Sequence, residues 1–116
     1  MITIEALKEY GANTEEGLSR CFNKKEFYLK LVSMGLADAN FDKLQRAVAT
    51  CDAKAAFEAA HALKGVTGNL SLTPLYAPIS EMTELLRGKS EMGNMSTLLD
   101  QIMDQLEKNP RSECLT

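Results

Sequence analysis

Apolar residues recur along this chain at helical spacing, and no stretch alternates convincingly as a strand. A chain patterned in this way buries its apolar stripes by packing helix against helix. The expected boundaries carry recognisable punctuation. Residues 3–10 form a short opening helix ended by Gly11, and Thr14 caps a second one beginning Glu15-Glu16, whose charges suit the positive end of the helix dipole. Both serve as a lid. Asn23-Lys24-Lys25-Glu26 has capping-box spacing ahead of Phe27, Leu31 and Met34, after which the pattern runs on through Leu44 and Val48, with a kink or break open at Gly35 and Asn40. Asp52 caps the next helix. Thr73-Pro74 then supplies a cap followed by proline at the first helical position. Pro78 removes an interior hydrogen bond, so this helix is expected to be regular only from about Ala77 and to end at Gly88. A last helix from about Glu91 to Lys108 buries Met95, Leu98, Leu99, Ile102 and Leu106, and Asn109-Pro110 stops it.

Four substantial helices with short connections bury their stripes most simply as an antiparallel up-and-down bundle. The expected fold is therefore all-α, a four-helix bundle with a short N-terminal helical lid. Residues 1–110 are expected to form a single domain, and residues 111–116 a disordered tail. A chain of 116 residues has room for one core, and 6% aromatic residues with no Trp make that core aliphatic.

Composition also narrows the partners. The net charge of −3 argues against nucleic acid. Cys21, Cys51 and Cys114 are odd in number and lack metal-type spacing, so they read as reduced thiols. There is no charged n-region followed by an apolar h-region, and no apolar run long enough to span a bilayer. The expectation is a cytoplasmic protein.

His61 is the only histidine, and it lies in Ala60-His61-Ala62-Leu63-Lys64-Gly65-Val66-Thr67-Gly68-Asn69-Leu70. On a helical wheel Ala56, Ala59, Ala60, Leu63, Val66, Thr67 and Leu70 fall within one arc, the buried face. His61 lies roughly 140° from the centre of that arc, beside Lys54, Glu58, Gly65 and Gly68, and so faces water. Each of the two glycines costs about 1 kcal/mol relative to alanine in a helix interior. What they offer is a flat strip where a partner can approach the imidazole. Lys64 is a helix-surface neighbour of His61 and places an ammonium where an added anion would sit. These features suit a phosphoryl group arriving from a docked protein. Plainer readings stand beside this one: Gly65 or Gly68 as a C′ glycine ending the helix, Lys64 as a solvated surface lysine, and Phe57 as a residue at the boundary of the core.

His61-Ala62-Leu63-Lys64-Gly65 followed by Asn69-Leu70 closely resembles the His-x-Leu-Lys-Gly-x-x-x-Asn-Leu signature of histidine phosphotransfer (HPt) domains, the carriers of two-component phosphorelays. The helical pattern extends the resemblance from about Leu18 to Leu106. The chain departs from the family at Ser71, where glycine is usual, and at Val66-Thr67-Gly68, where small residues such as Ser-Ala-Ala are more common. Neither departure touches the nucleophile. The resemblance implies that His61 is phosphorylated, through Nε2, by the aspartyl phosphate of a response-regulator receiver domain, and that it passes the group to a second receiver. It further implies that Lys64 supports the phosphoryl group and that Gly65 and Gly68 form a docking surface.

That surface is expected to include Phe57 and Ala62, bordered by Lys54, Glu58 and Lys64. Neither G-x-x-x-x-G-K-[ST] nor G-x-G-x-x-G occurs, so the chain is not expected to use ATP itself. It has no paired Asp cluster, so the magnesium that phosphoryl transfer needs comes from the partner. The expected role is that of a monomeric carrier with no cofactor or metal of its own, served by receiver domains and a hybrid sensor kinase. Two alternatives belong to other classes: a bundle that binds receivers without phosphotransfer, and a helical subunit that assembles through Met92, Met95 and Met103.

Overall fold

The structure, a computed structural model, describes residues 2–89 and 93–110. The described residues contain seven helices and no strand: α1 (Ile4–Tyr10), α2 (Thr14–Arg20), α3 (Lys25–Leu36), α4 (Asn40–Ala49), α5 (Ala53–Asn69), α6 (Thr73–Leu86) and α7 (Ser96–Glu107). The α4–α5, α5–α6 and α6–α7 pairs pack side by side, and α7 returns to α4 to close a four-helix bundle. Its core is mostly aliphatic, with Leu44, Leu63, Leu72, Leu75, Ile79, Met82 and Ile102 among the fully buried side chains and Tyr28 and Phe41 as its buried aromatic members. None of the described helices is long and apolar enough to cross a membrane.

The lid forms as expected. Thr3 caps α1 by accepting from Ala6 N–H, and Gly11 ends it at φ 108°, a value that suits a residue without Cβ. The Tyr10 hydroxyl donates to the Gln105 carbonyl at the end of α7, while Gly11 lies against Pro74 of α6. In α2 the cap is Asn13 rather than Thr14. The Asn13 side chain accepts from Glu16 N–H, and Thr14 is buried in the first turn.

The next expectation fails in an instructive way. Asn23 does not begin a capping box. It sits at φ 58°, where its N–H closes on the Leu18 carbonyl at 2.7 Å, so it terminates α2 instead of starting α3. The buried stripe of α3 is then displaced by one residue, to Tyr28, Val32, Gly35 and Leu36. Phe27 and Met34 are exposed and Leu31 is half-buried. Two stripes with the same spacing competed, and the one carrying Tyr28 goes inward. Its hydroxyl finds the Leu70 carbonyl at 2.8 Å, and its ring fills the space left by the missing side chain of Gly17, where a Cβ would fall 2.5 Å from the ring. Between α3 and α4 the helix breaks at residues 37–39, where the Asp38 carboxylate accepts from Asn40 N–H at 2.8 Å.

Thr73 and Pro74 occupy the first turn of α6, and Leu72 stands at the cap without a side-chain bond, so Thr73 is not the cap. The helix nevertheless runs unbroken from Thr73 through Pro78, rather than starting at Ala77. Pro78 is buried, and its loss of one backbone bond is offset by apolar packing on that face. The helix ends at Leu86, two residues before Gly88. In α7, Leu98 and Ile102 are buried, Met95 is buried just before the helix, and Leu99 and Leu106 pack against the core from its edge. The helix begins at Ser96 and not near Glu91 as expected: residues 93–95 are not helical, and Gly93 takes a left-handed φ of 63°. Residues 90–92 and 111–116 lie outside the described residues, and with them Glu91, Met92, Cys114 and the expected tail.

Candidate functional site

The helix that bears His61 is set by its two ends. The Asp52 carboxylate accepts from Ala55 N–H at 3.1 Å to start α5. At the far end Leu72 N–H reaches back to the Thr67 carbonyl at 2.9 Å and Ser71 N–H to Gly68 at 3.2 Å, the bonding of a Schellman turn. The left-handed position of that turn is Ser71, at φ 57°, so neither Gly65 nor Gly68 ends the helix. A serine there bears strain that glycine does not. Its side chain and backbone are held in return: the Ser71 hydroxyl donates to the Glu16 carboxylate at 2.8 Å, and Asn13 N–H donates to the Ser71 carbonyl at 2.9 Å. Arg20 bonds the Gly68 carbonyl and pairs with Glu16 at 3.1 Å.

Between these ends Ala53, Ala56, Ala59, Ala60, Leu63 and Thr67 face the core. Val66, expected among them, is half-buried, because it packs on Gly35 of α3 at the edge of the core. His61, Glu58, Ala62, Gly65 and Asn69 are exposed. A Cβ added to Gly65 would meet nothing within 4 Å. Gly68 differs from the expectation: it is half-buried, and an added Cβ would lie 3.1 Å from the Tyr76 ring of α6. The open strip beside His61 is therefore formed by Gly65, while Gly68 admits Tyr76.

Two side chains next to His61 are engaged rather than free. Phe57, one turn earlier, is half-buried against the core, and its ring stacks on the imidazole with centroids 5.7 Å apart and an interplanar angle of 7°. The Arg87 guanidinium lies over the same Phe57 ring, 5.4 Å from its centroid. Lys64 is not a free ammonium waiting beside His61. Its Nζ donates to Glu84 Oε2 at 3.2 Å, and its side chain is only 28% exposed. Glu84 also accepts from Arg87, at 3.0 Å from Nη2 and 3.3 Å from Nε. The hydrogen bonds from Arg87 and then Lys64 hold the Glu84 carboxyl down at about 2. On the other side of His61 an open groove of about 530 Å³ runs between α5, α6 and α2, past Lys64, Gly65, Gly68 and Tyr76 to Arg20. Among the described residues no group of three or more His, Cys, Asp or Glu side chains is placed to hold a metal ion.

The Hpt domain family model matches residues 34–109, from the last turn of α3 to the end of α7. The chain belongs to the Hpt domain family. Hpt domains are phosphocarrier modules that act with receiver domains in two-component phosphotransfer. No curated protein and no solved structure matches the chain. In this Hpt domain α1, α2 and most of α3 precede the match, and α2 contributes Arg20 and Glu16 to the groove.

Reasoning from sequence placed His61, Lys64, Gly65, Phe57 and Glu58 on or beside one face of α5, and they are together there. It missed Glu84, Arg87, Tyr76 and Arg20. Glu84 and Arg87 stand three residues apart, an ordinary ion-pair spacing on a helix surface. No periodic signal says that they lie against α5.

Proposed function

We propose that this Hpt domain is a phosphorelay intermediate, in which His61 takes a phosphoryl group from the aspartyl phosphate of one receiver domain and delivers it to the aspartate of another. The observation that carries this reading is the exposed position of His61 in the middle of α5, beside Gly65, where an added side-chain carbon would touch nothing. The space over Gly65 leaves a receiver surface room to bring its aspartyl phosphate up to the imidazole.

In the transfer step the lone pair on Nε2 of the neutral imidazole attacks phosphorus while the bond to the aspartyl carboxylate oxygen breaks. The electron pair leaves with that carboxylate, and the Nδ1 proton stays on the ring. In-line geometry and charge neutralisation dominate phosphoryl transfer, so the receiver's magnesium does most of the electrostatic work. Lys64 supports the new phosphoryl oxygens as a point charge. Gly65 with exposed Glu58 and Ala62 forms the docking surface; Phe57 borders it, and Gly68 supports it from beneath Tyr76.

Residues 1–110 act as one unit in this reading, because α1–α3 are bonded to the bundle through Tyr10, Tyr28 and Asn13. The domain works as a cytoplasmic monomer, with response-regulator receivers and a hybrid sensor kinase as its partners. The test is incubation with phosphorylated receiver domains and magnesium. Acid-labile, alkali-stable phosphate should appear on the wild-type chain and be absent from His61→Gln. If the wild-type chain binds receivers but never accepts phosphate, it is a binding module and not a carrier.

A further inference from the structure

A histidine standing alone on a helix samples several rotamers, and only some of them direct Nε2 outward. His61 does not stand alone. Its ring is parallel to that of Phe57, and a parallel offset arrangement of rings is a favoured one. Phe57 is in turn covered by the Arg87 guanidinium, and Arg87 is fixed by two hydrogen bonds to Glu84. Glu84 then holds Lys64, which returns the chain of contacts to α5 three residues after His61. Five side chains thus form a circuit between α5 and α6 that starts at the nucleophile and ends at its neighbouring cation. We infer that Phe57, Arg87 and Glu84 are positioning residues for phosphoryl transfer, bracing the His61 imidazole through the ring stack and holding Lys64 ready through the shared carboxylate. This rests on the phosphocarrier reading of His61.

The circuit explains why Glu84 has two cations rather than one. A phosphoryl group on His61 brings up to about two negative charges and competes with Glu84 for the Lys64 ammonium. When Lys64 swings to the phosphoryl oxygens, Arg87 stays on Glu84 and leaves the carboxylate paired. Exposed ion pairs are weak individually, so Lys64 changes partner at little cost. The brace and the exchange depend on the same two residues, Glu84 in the last turn of α6 and Arg87 at its C-cap.

Because His61 is the only histidine, its imidazole resonances can be followed by NMR without ambiguity in the wild type and in Phe57→Leu, Phe57→Tyr and Arg87→Gln. The ring-proton shifts should move toward those of an unstructured histidine in Phe57→Leu, move partly in Arg87→Gln, and stay near wild type in Phe57→Tyr. Phosphorylation is measured in parallel with phosphoramidate, which forms the N–P bond with loss of ammonia, and with a phosphorylated receiver. Phe57→Leu and Arg87→Gln should slow both reactions by about fivefold, below the roughly hundredfold that a misplacement of about 1 Å can cost. In Arg87→Gln the rate at saturating receiver should fall while half-saturation stays the same, and Phe57→Tyr should keep the wild-type rate. Arg87→Gln changes an exposed side chain and keeps the test open if Phe57→Leu fails to fold. Unchanged imidazole shifts and rates in Phe57→Leu and Arg87→Gln, on a wild-type chain that accepts phosphate, overturn the clamp and leave the carrier intact. A wild-type chain that accepts phosphate from neither donor overturns both.

Discussion

The Phe57 ring lies within 7° of parallel to the His61 imidazole one turn away on α5, 5.7 Å between centroids. The nucleophile is exposed to a partner on one side and braced on the other. That arrangement separates residues whose change should affect docking from those whose change should affect the step itself.

Gly65 belongs to docking. Gly65→Arg puts a long side chain where nothing now stands within 4 Å, so the fold should survive, as thermal unfolding and circular dichroism would show. Transfer from a phosphorylated receiver should fall by about tenfold or more, equivalent to about 1.4 kcal/mol of lost docking energy. Labelling by phosphoramidate should persist. Normal transfer from the receiver would remove Gly65 from the docking surface.

The two glycines of α5 should respond differently to alanine. Gly65→Ala gains helix propensity with no new contact and should stabilise the protein by up to about 1 kcal/mol. Gly68→Ala gains the same propensity but brings a Cβ to 3.1 Å from the Tyr76 ring, so its net gain should be smaller. Denaturant midpoints of the two variants, compared directly, check the ordering.

Lys64→Ala should slow phosphorylation or shorten the lifetime of the phosphohistidine without abolishing either. Its effect on stability should stay within about 1 kcal/mol, because Glu84 is half exposed and keeps Arg87 as a second partner. An unchanged rate and lifetime would make Lys64 a bystander.

Tyr28 ties α3 to the end of the His61 helix. Tyr28→Phe leaves the Leu70 carbonyl without the donor it now has at 2.8 Å, and urea unfolding should show a loss of about 1–2 kcal/mol. Burial pushes the Tyr28 hydroxyl up from 10.0 to about 12. A group raised in the folded state stabilises fully below its unfolded value, so this contribution should hold up to about pH 10 and disappear between pH 10 and about 12. In Tyr28→Phe that part of the alkaline loss should be missing.

Much of the fold was legible because it rests on local chemistry. Asp52 caps its helix with its own side chain, Gly11 ends α1, and the alternation of faces on α5 follows from spacing alone. The misses arise where two local solutions compete and a distant contact decides. Phe27 and Tyr28 head equivalent stripes, and only the Leu70 carbonyl, far away in sequence, and the space at Gly17 in the preceding helix select Tyr28. Ser71 takes a position usual for glycine because Glu16 and Asn13, more than 50 residues earlier, hold it there. The site divides in the same way. His61 and its α5 neighbours were readable from one helix, whereas the partner of Lys64 and the cover on Phe57 come from the last turn of α6 and its C-cap.

The most direct test of the central claim is to locate the phosphate. After transfer from a phosphorylated receiver, phosphorus–nitrogen coupling in the ¹⁵N-labelled protein should appear at Nε2 of the single imidazole and be absent in His61→Gln. Phosphate attached to any other residue, or an imidazole that stays uncoupled while the receiver loses its phosphate to water, would contradict the assignment of His61 as the carrier.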